Sequence, residues 1–215
     1  MIQIELIPCL KDNYAYLVKC TQTQQMAVVD PSECEPVAAV LEEQEGDFVA
    51  ILNTHHHWDH TGGNEALLER WPGISVYGHV SDRGRIPGQT VFLADNDEFF
   101  LGRQRVVVRH VPGHTTGAVA YCFSKDVFTG DTLFFGGCGR LFEGSPAMMF
   151  HSLTVRLAKE LDEETQFWCG HEYTVQNLRF ALHADPENEE VRAKLKWAVE
   201  ERQAGRPTVP SALSD

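Results

Sequence analysis

The chain reads as an α/β protein, a layered sandwich with mixed or largely antiparallel sheets. Two observations predict this. Short β-type runs and amphipathic helical runs follow one another along 215 residues as ββ, αβαβ, a β-rich middle and a final αβ. The histidines and aspartates suited to chemistry also fall where a predicted strand gives way to a loop, the usual place for a site on a rigid sheet.

Residues 2–7, 15–19 and 26–29 are apolar or alternating runs divided by turn residues, hence strands. Residues 35–43 have helical spacing, with Val37, Val40 and Leu41 on one side. A buried strand at 48–52 delivers the chain to Thr54-His55. Thr61-Gly62-Gly63-Asn64 opens a helix that runs to Trp71 and stops at Pro72-Gly73. A strand at 74–77 precedes a surface loop at 81–89. Strands at 91–93, 98–101, 106–111, 118–123 and 127–129 follow, then a glycine-rich loop at 135–146. The amphipathic stretch 148–161 predicts a helix, 166–169 a strand, and 174–184 and 187–204 two helices before a proline-rich tail.

With 43% apolar and 23% charged residues, a chain of this length fits one domain with an ordinary core. No apolar run approaches the ~20 residues that span a bilayer, and residues 1–8 lack the basic and apolar regions of a secretory leader. Both features point to the cytoplasm and away from membranes. The net charge of −13 argues against a nucleic-acid partner, whose phosphates need clustered Lys and Arg. A small anionic substrate held by a few local cations remains compatible with it. The six cysteines form no C-x-x-C pair and are expected to be mostly buried free thiols. Cys138 and Cys169 lie inside glycine-rich motifs, but a metal-activated hydroxide would make a thiol nucleophile redundant.

The densest signal is His55-His56-His57-Trp58-Asp59-His60. His55 and His57, two apart on an extended turn, can face one ion. Asp59 and His60, adjacent, can point into a second pocket beside it. His114, Asp131 and His171 each follow a predicted strand, and each is preceded by glycine. This mixed imidazole and carboxylate set suits zinc, iron, manganese or cobalt. Two divalent ions, partly neutralised by Asp59, Asp131 and a hydroxide, would leave positive charge for an anionic transition state. Asp131, with two oxygens, can bridge ions roughly 3.5–4 Å apart. His56 and His110 are candidates for support of the ligands, and His79, His151 and His183 receive no role.

Together these segments resemble glyoxalase II, the hydroxyacylglutathione hydrolase family of the metallo-β-lactamase superfamily. The resemblance rests on Thr54-His55-His56-His57-Trp58-Asp59-His60, Pro112-Gly113-His114-Thr115, Gly130-Asp131-Thr132-Leu133, Gly136-Gly137-Cys138-Gly139-Arg140-Leu141-Phe142-Glu143-Gly144 and Gly170-His171-Glu172-Tyr173-Thr174, with Asp12-Asn13-Tyr14 also fitting. The hexapeptide specifies only the superfamily. The Gly-Cys-Gly-Arg-Leu-Phe-Glu-Gly and Gly-His-Glu-Tyr-Thr segments point to glyoxalase II, since persulfide dioxygenases with the same histidine loop differ after Gly-Cys-Gly-Arg.

The resemblance implies a four-layer αββα sandwich, with a catalytic domain at 1–173 and a C-terminal helical segment at 174–215 that is short for the family. It implies His55, His57 and His114 around one metal, Asp59, His60 and His171 around a second, and Asp131 between them. The cofactors would be two divalent ions, zinc foremost, with iron or manganese possible. Asp59 and Asp131 would be catalytic, and Arg140, Phe142 and Tyr173 would bind substrate. The reaction would be hydrolysis of S-D-lactoylglutathione to D-lactate and glutathione by a hydroxide between the metals, in a monomer. One departure stands out. Family members continue past the segment matching Thr208-Val209-Pro210-Ser211 into an Asn-Pro-Phe stretch and a basic pair that grips the glutathione glycine carboxylate, whereas this sequence ends at Asp215. Catalysis is therefore expected with a weaker grip on glutathione. Other thioesters, lactones or β-lactams, an iron persulfide dioxygenase activity and a non-enzymatic metal-binding role stand as alternatives.

Overall fold

The computed structural model describes residues 1–214. Strands β1 (Ile2–Cys9), β2 (Asn13–Cys20) and β3 (Gln25–Val29) form an antiparallel meander. Helix α1 (Cys34–Glu43) then returns the chain to β4 (Asp47–Leu52), parallel to β3. After α2 (Trp58–Thr61) and α3 (Asn64–Arg70), β5 (Ser75–His79) and β6 (Val91–Leu93) continue in parallel and complete a six-stranded sheet in chain order. The second sheet begins with the antiparallel run β7 (Glu98–Leu101), β8 (Gln104–His110), β9 (Val119–Phe123) and β10 (Asp126–Gly130). A small hairpin, β11 (Leu133–Phe134) and β12 (Gly137–Cys138), and α4 (Pro146–His151) follow. Strand β13 (Gln166–Cys169) adds parallel to β10; after α5 (Thr174–Ala184) and α6 (Glu189–Gln203), β14 (Ser211–Ala212) closes the sheet edge.

Strands β2 and β10 show why the layers stack as α–β–β–α. Each is apolar on both faces, because each lies inside a sheet covered on both sides. Tyr16 and Val18 of β2 meet Val108, Tyr121 and Phe128 of the other sheet in the central core. Their neighbours Ala15 and Leu17 face outward and pack with Val37 and Leu41 of α1 and Leu67 of α3. On the far side, Val127 of β10 packs with Leu157, Leu178 of α5 and Ala198 of α6. The segment predicted as a helical appendage thus carries two helices that cover the second sheet and a terminal strand that joins it.

Three local expectations need correction. The turn at 55–60 is not wholly extended: it winds into the single-turn α2. The loop at 135–146 contains β12, which pairs with β11 just before the loop. The helix predicted over 148–161 is α4 followed by a π-type turn, Ser152–Leu157. Two side chains account for this last break. Ser152 Oγ donates to the Pro112 carbonyl at 2.7 Å, and Thr154 Oγ1 donates back to the Phe150 carbonyl at 2.7 Å; such bonds compete with the regular helix ladder. Among the described residues no helix is long and apolar enough to cross a membrane.

Phe128 is fully buried, with ring centroids 5.3 Å from Tyr16 and 5.7 Å from Phe123. Phe128→Ala is expected to cost about 3–5 kcal/mol in urea unfolding through lost burial and a central cavity. Phe100→Ala, 65% exposed on the edge strand β7, should change stability by no more than about 0.5 kcal/mol.

Candidate metal centre

Parallel strands end together, and the residues just beyond their C-terminal ends are close in space. Here β3, β4 and β5 end beside β10 and β13. Backbone hydrogen bonds stitch the two sheets at this edge: Val119 N donates to Thr54 O at 2.8 Å, and Tyr14 N donates to Gly170 O at 2.9 Å. Within the second sheet, Gly170 N donates to Gly130 O at 2.9 Å, which puts Asp131 against His171. The histidine turn is fixed from behind. Asn53 Nδ2 donates to His60 O, Asn64 Nδ2 to Asn53 Oδ1, and Tyr121 OH to Asn53 O, at 2.8–3.0 Å.

All seven predicted metal residues converge at this edge. His55 Nε2, His57 Nδ1 and His114 Nε2 form one group, with His57 Nδ1 3.1 Å from His55 Nε2 and 2.9 Å from His114 Nε2. Asp59, His60 and His171 form a second, with Asp59 Oδ2 3.7 Å from His60 Nε2 and 3.4 Å from His171 Nε2. Asp131 touches both. Its Oδ2 lies 3.4 Å from His114 Nε2 and 3.3 Å from His171 Nε2, and its Oδ1 lies 3.4 Å from His60 Nε2.

The outer ring nitrogens decide how these side chains present themselves. His114 Nδ1 faces the Arg140 carbonyl at 2.8 Å, His60 Nδ1 the Asp30 carboxylate at 3.0 Å, and His171 Nδ1 the Asp12 carboxylate at 2.9 Å. These partners only accept, so each Nδ1 carries the proton. Thr54 Oγ1 donates to Asp30 Oδ2 at 2.6 Å, so its oxygen is left to accept from His55 Nδ1 at 3.0 Å. Four Nε2 atoms therefore point inward and could ligate, in the arrangement that orients histidines toward a metal.

The donor set fits metal ions. His57 Nδ1, 3.1 and 2.9 Å from its two neighbours, would meet them as repelling bare lone pairs, yet a tetrahedral ion with ~2.05 Å Zn–N bonds sets neighbouring ligands about 3.3 Å apart. His60 Nε2 and Asp131 Oδ1 are buried polar atoms with no hydrogen-bond partner, which a cation between them would satisfy. The glycine before His171 is also required by space. A Cβ on Gly170 would fall 2.6 Å from His60 Cε1 and overlap Asp131 Oδ1.

The two groups differ in electrostatics. Burial, reinforced by neighbouring rings, keeps His55 and His114 below the ordinary histidine pKa and brings His57 to about 4. In the second group burial is outweighed by carboxylates. Asp131 and Asp30 raise His60 well above its usual value, and Asp131 with Asp59 lifts His171 to about 10. Asp59 and Asp131 are correspondingly held below the usual carboxylate range against the cost of burial.

The site opens into a cavity of about 430 Å³ lined by His57, Asp59, His114, Asp131 and His171 at its base, with Trp58, Arg140, Phe142 and Tyr173 around it. All three predicted substrate residues are there. The Tyr173 ring stacks on His171 at 4.6 Å, and Phe142 sets its edge against His57 and His114 at 5.4 and 5.3 Å. A larger hollow of about 780 Å³ opens between α5, α6 and β14, but its walls are mainly apolar side chains such as Phe135, Leu178 and Trp197, without the metal-binding groups. Cys138 lies outside the cavity lining, and Cys169 is buried, with its thiol pushed up to about 12 by burial.

Sequence reasoning missed Asp30. It is 2% exposed, accepts from Thr54 N at 2.7 Å, Thr54 Oγ1 and His60 Nδ1, and lies near His55 as well. Its oxygens are thus engaged behind the ligands. A signal was present, because Asp30 directly follows β3, the same strand-end position as the ligands. Asp12 and Asn13 were noted without a role; Asn13 Nδ2 donates to Asp59 O at 2.9 Å and Oδ2 at 3.2 Å. His56 contacts buried Asp82, while His110 stacks face to face on His79 at 4.3 Å.

Residues 11–171 match the metallo-beta-lactamase superfamily, and residues 172–215 match the hydroxyacylglutathione hydrolase C-terminus. Hydroxyacylglutathione hydrolases from Synechocystis sp. and Synechococcus sp. (strain JA-3-3Ab) are 47% and 52% identical over 99% and 100% of this chain, covering 84% and 85% of their own lengths. Among solved structures, ETHE1 from Myxococcus xanthus aligns with a TM-score of 0.71 at 26% identity, over 95% of this chain and 99% of that one. TTHA1623 in a di-iron-bound form aligns with a TM-score of 0.62 at 30% identity, over 79% and 91%.

Asp30→Ala frees one imidazole in each group at once. Metal affinity, measured by competition with a chromogenic chelator, is expected to fall about 10–100-fold, with the protein still folded by circular dichroism.

Proposed function

The chain belongs to the hydroxyacylglutathione hydrolase family of the metallo-β-lactamase superfamily, and from that premise we propose that it hydrolyses glutathione thioesters, S-D-lactoylglutathione foremost, to a hydroxy acid and glutathione. The observation that carries this reading is the carboxylate of Asp131, whose oxygens face both ligand groups at the base of a cavity with Arg140 at its mouth.

His55, His57 and His114 would hold one divalent ion, Asp59, His60 and His171 the other, and Asp131 both. Zinc is the first expectation, and iron or manganese suits the same donors. When bound, such ions supply Lewis acidity, which brings water toward ionisation near neutral pH and stabilises a developing oxyanion. Asp59, fixed by Asn13, is placed to accept a hydrogen bond from the attacking water and so direct a lone pair at the thioester carbonyl. Phe142 and Trp58 give the acyl group an apolar wall, and Arg140 offers a cation to a glutathione carboxylate. The leaving thiolate has a conjugate-acid pKa near ~8.5, so no strong general acid is needed. Cys138 and Cys169 have no part in the reaction. All six cysteines are free, which suits a reducing compartment, and the enzyme is proposed to act as a cytoplasmic monomer.

The test is turnover of S-D-lactoylglutathione against a neutral lactoyl thioester, a lactone and a β-lactam. The glutathione substrate should be preferred by about 100-fold in kcat/KM, and chelation should abolish turnover until divalent metal is restored. Asp131→Ala should lose about 10³-fold in kcat. Arg140→Ala should raise KM for lactoylglutathione about 5–10-fold with little change in kcat. Equal kcat/KM for the β-lactam or lactone would overturn the assignment, as would full activity in metal-free protein.

A further inference from the structure

One charged group beside the cavity takes no part in that scheme. Asp82 is fully buried, and its Oδ2 has no hydrogen-bond partner. Gly117 packs so tightly on it that a Cβ there would sit 2.5 Å from the carboxylate. Arg85 Nη1 donates to Asp82 Oδ1 at 3.2 Å, and His56 Nδ1 lies 3.4 Å from the same oxygen. The other end of the Arg85 guanidinium, Nη2, donates to His56 Nε2 and to Glu143 Oε1. Glu143 in turn accepts from Thr116 N at 2.8 Å and Thr116 Oγ1 at 2.9 Å.

The position of Glu143 gives this network its reach. Phe142, its neighbour, lies against His57 and His114, and Arg140 sits over the Phe142 ring at 5.1 Å. The loop is also held by the His114 ring, whose Nδ1 donates to Arg140 O at 2.8 Å, and by backbone bonds from Phe142 N and Glu143 N to His114 O at 3.2 and 3.4 Å and from Gly144 N to Gly113 O at 3.1 Å. We propose that Arg85 is a positioning residue for substrate binding. It locks the loop that carries Arg140 and Phe142 to the turn that carries His55 and His57, using the buried Asp82 as a fixed post.

An exposed ion pair would do little of this, since such pairs contribute little and their side chains wander. Arg85 differs because one of its partners is buried and immobile, and a buried carboxylate stripped of its cation is strongly disfavoured. Glu143 is a lasting partner too. Burial opposes its ionisation, yet hydrogen bonds from Arg85 and Thr116 keep its pKa at about 2, so it stays charged in any assay near neutrality.

The inference rests on the glutathione thioesterase reading, and the experiment separates the two. Arg85→Ala, Glu143→Ala and the double variant are assayed with S-D-lactoylglutathione and with neutral S-lactoyl-N-acetylcysteamine. Metal content and amide hydrogen exchange are measured alongside. Each single variant should raise KM for lactoylglutathione about 10-fold, with kcat within about 2-fold of wild type, metal content unchanged and a clearly smaller rise in KM for the neutral thioester, which shares the Phe142 contact but not the Arg140 one. The double variant should be no worse than Glu143→Ala alone, because Arg85 reaches the loop through Glu143. Exchange at the Phe142 and Glu143 amides should quicken in all three. Glu143→Ala keeps the Asp82–Arg85 pair, so it reads the tie even if Arg85→Ala fails to fold. A wild-type KM in the variants, an equal rise for the neutral thioester, multiplicative single effects or lost metal overturns the inference on an active enzyme. A wild type that does not prefer the glutathione substrate overturns the functional reading, and this inference with it.

Discussion

The organisation of the site depends on the carboxylate of Asp30. It follows β3, accepts from the Thr54 backbone at Oδ1 and from the Thr54 hydroxyl and His60 Nδ1 at Oδ2, and is almost wholly removed from water. Through Thr54 it fixes His55 in one ligand group, and directly it fixes His60 in the other. A buried carboxylate is tolerable only when its lone pairs are used, so the strand end is locked into the conformation that uses them. The two groups of candidate metal ligands thereby share one support, drawn from the β3 and β4 ends of a single sheet.

Burial and pairing pull these groups in opposite directions. The imidazoles of His55, His57 and His114 have mostly one another for company, so desolvation governs them and they stay neutral. His60 and His171 have carboxylates on both sides, so attraction outweighs desolvation. The same protein edge thus offers one cluster dominated by imidazole nitrogens and one in which carboxylates face the imidazoles, with Asp131 as the common member.

Much of this was legible in the sequence, for a physical reason. Ligands held by rigid strand ends must be close together in sequence or repeat the same local context. The hexapeptide from His55 to His60 and the three Gly-ligand steps at His114, Asp131 and His171 did both. The layer order was readable too, because strands covered on both faces lose their polar alternation, as in β2. What supports the ligands was harder to see. Asp30 and Asp12 are single acidic residues in turns, where such residues are common for ordinary turn chemistry. Asp82, Arg85 and Glu143 meet only across the fold. The π-type turn after α4 was invisible because it depends on Ser152 reaching the Pro112 carbonyl, a contact that helical periodicity does not encode.

The spread of the ligands along the chain also bears on biosynthesis. His55, His57 and His114 have all been made before β10 is complete, whereas His171 arrives only with the end of β13, which must pair with β10 to bring it beside Asp131. A nascent chain emerging from the ribosome can therefore assemble its imidazole-only cluster well ahead of its carboxylate-rich one. If the seven side chains hold two ions as proposed, the second ligand group is completed only when β13 has paired with β10.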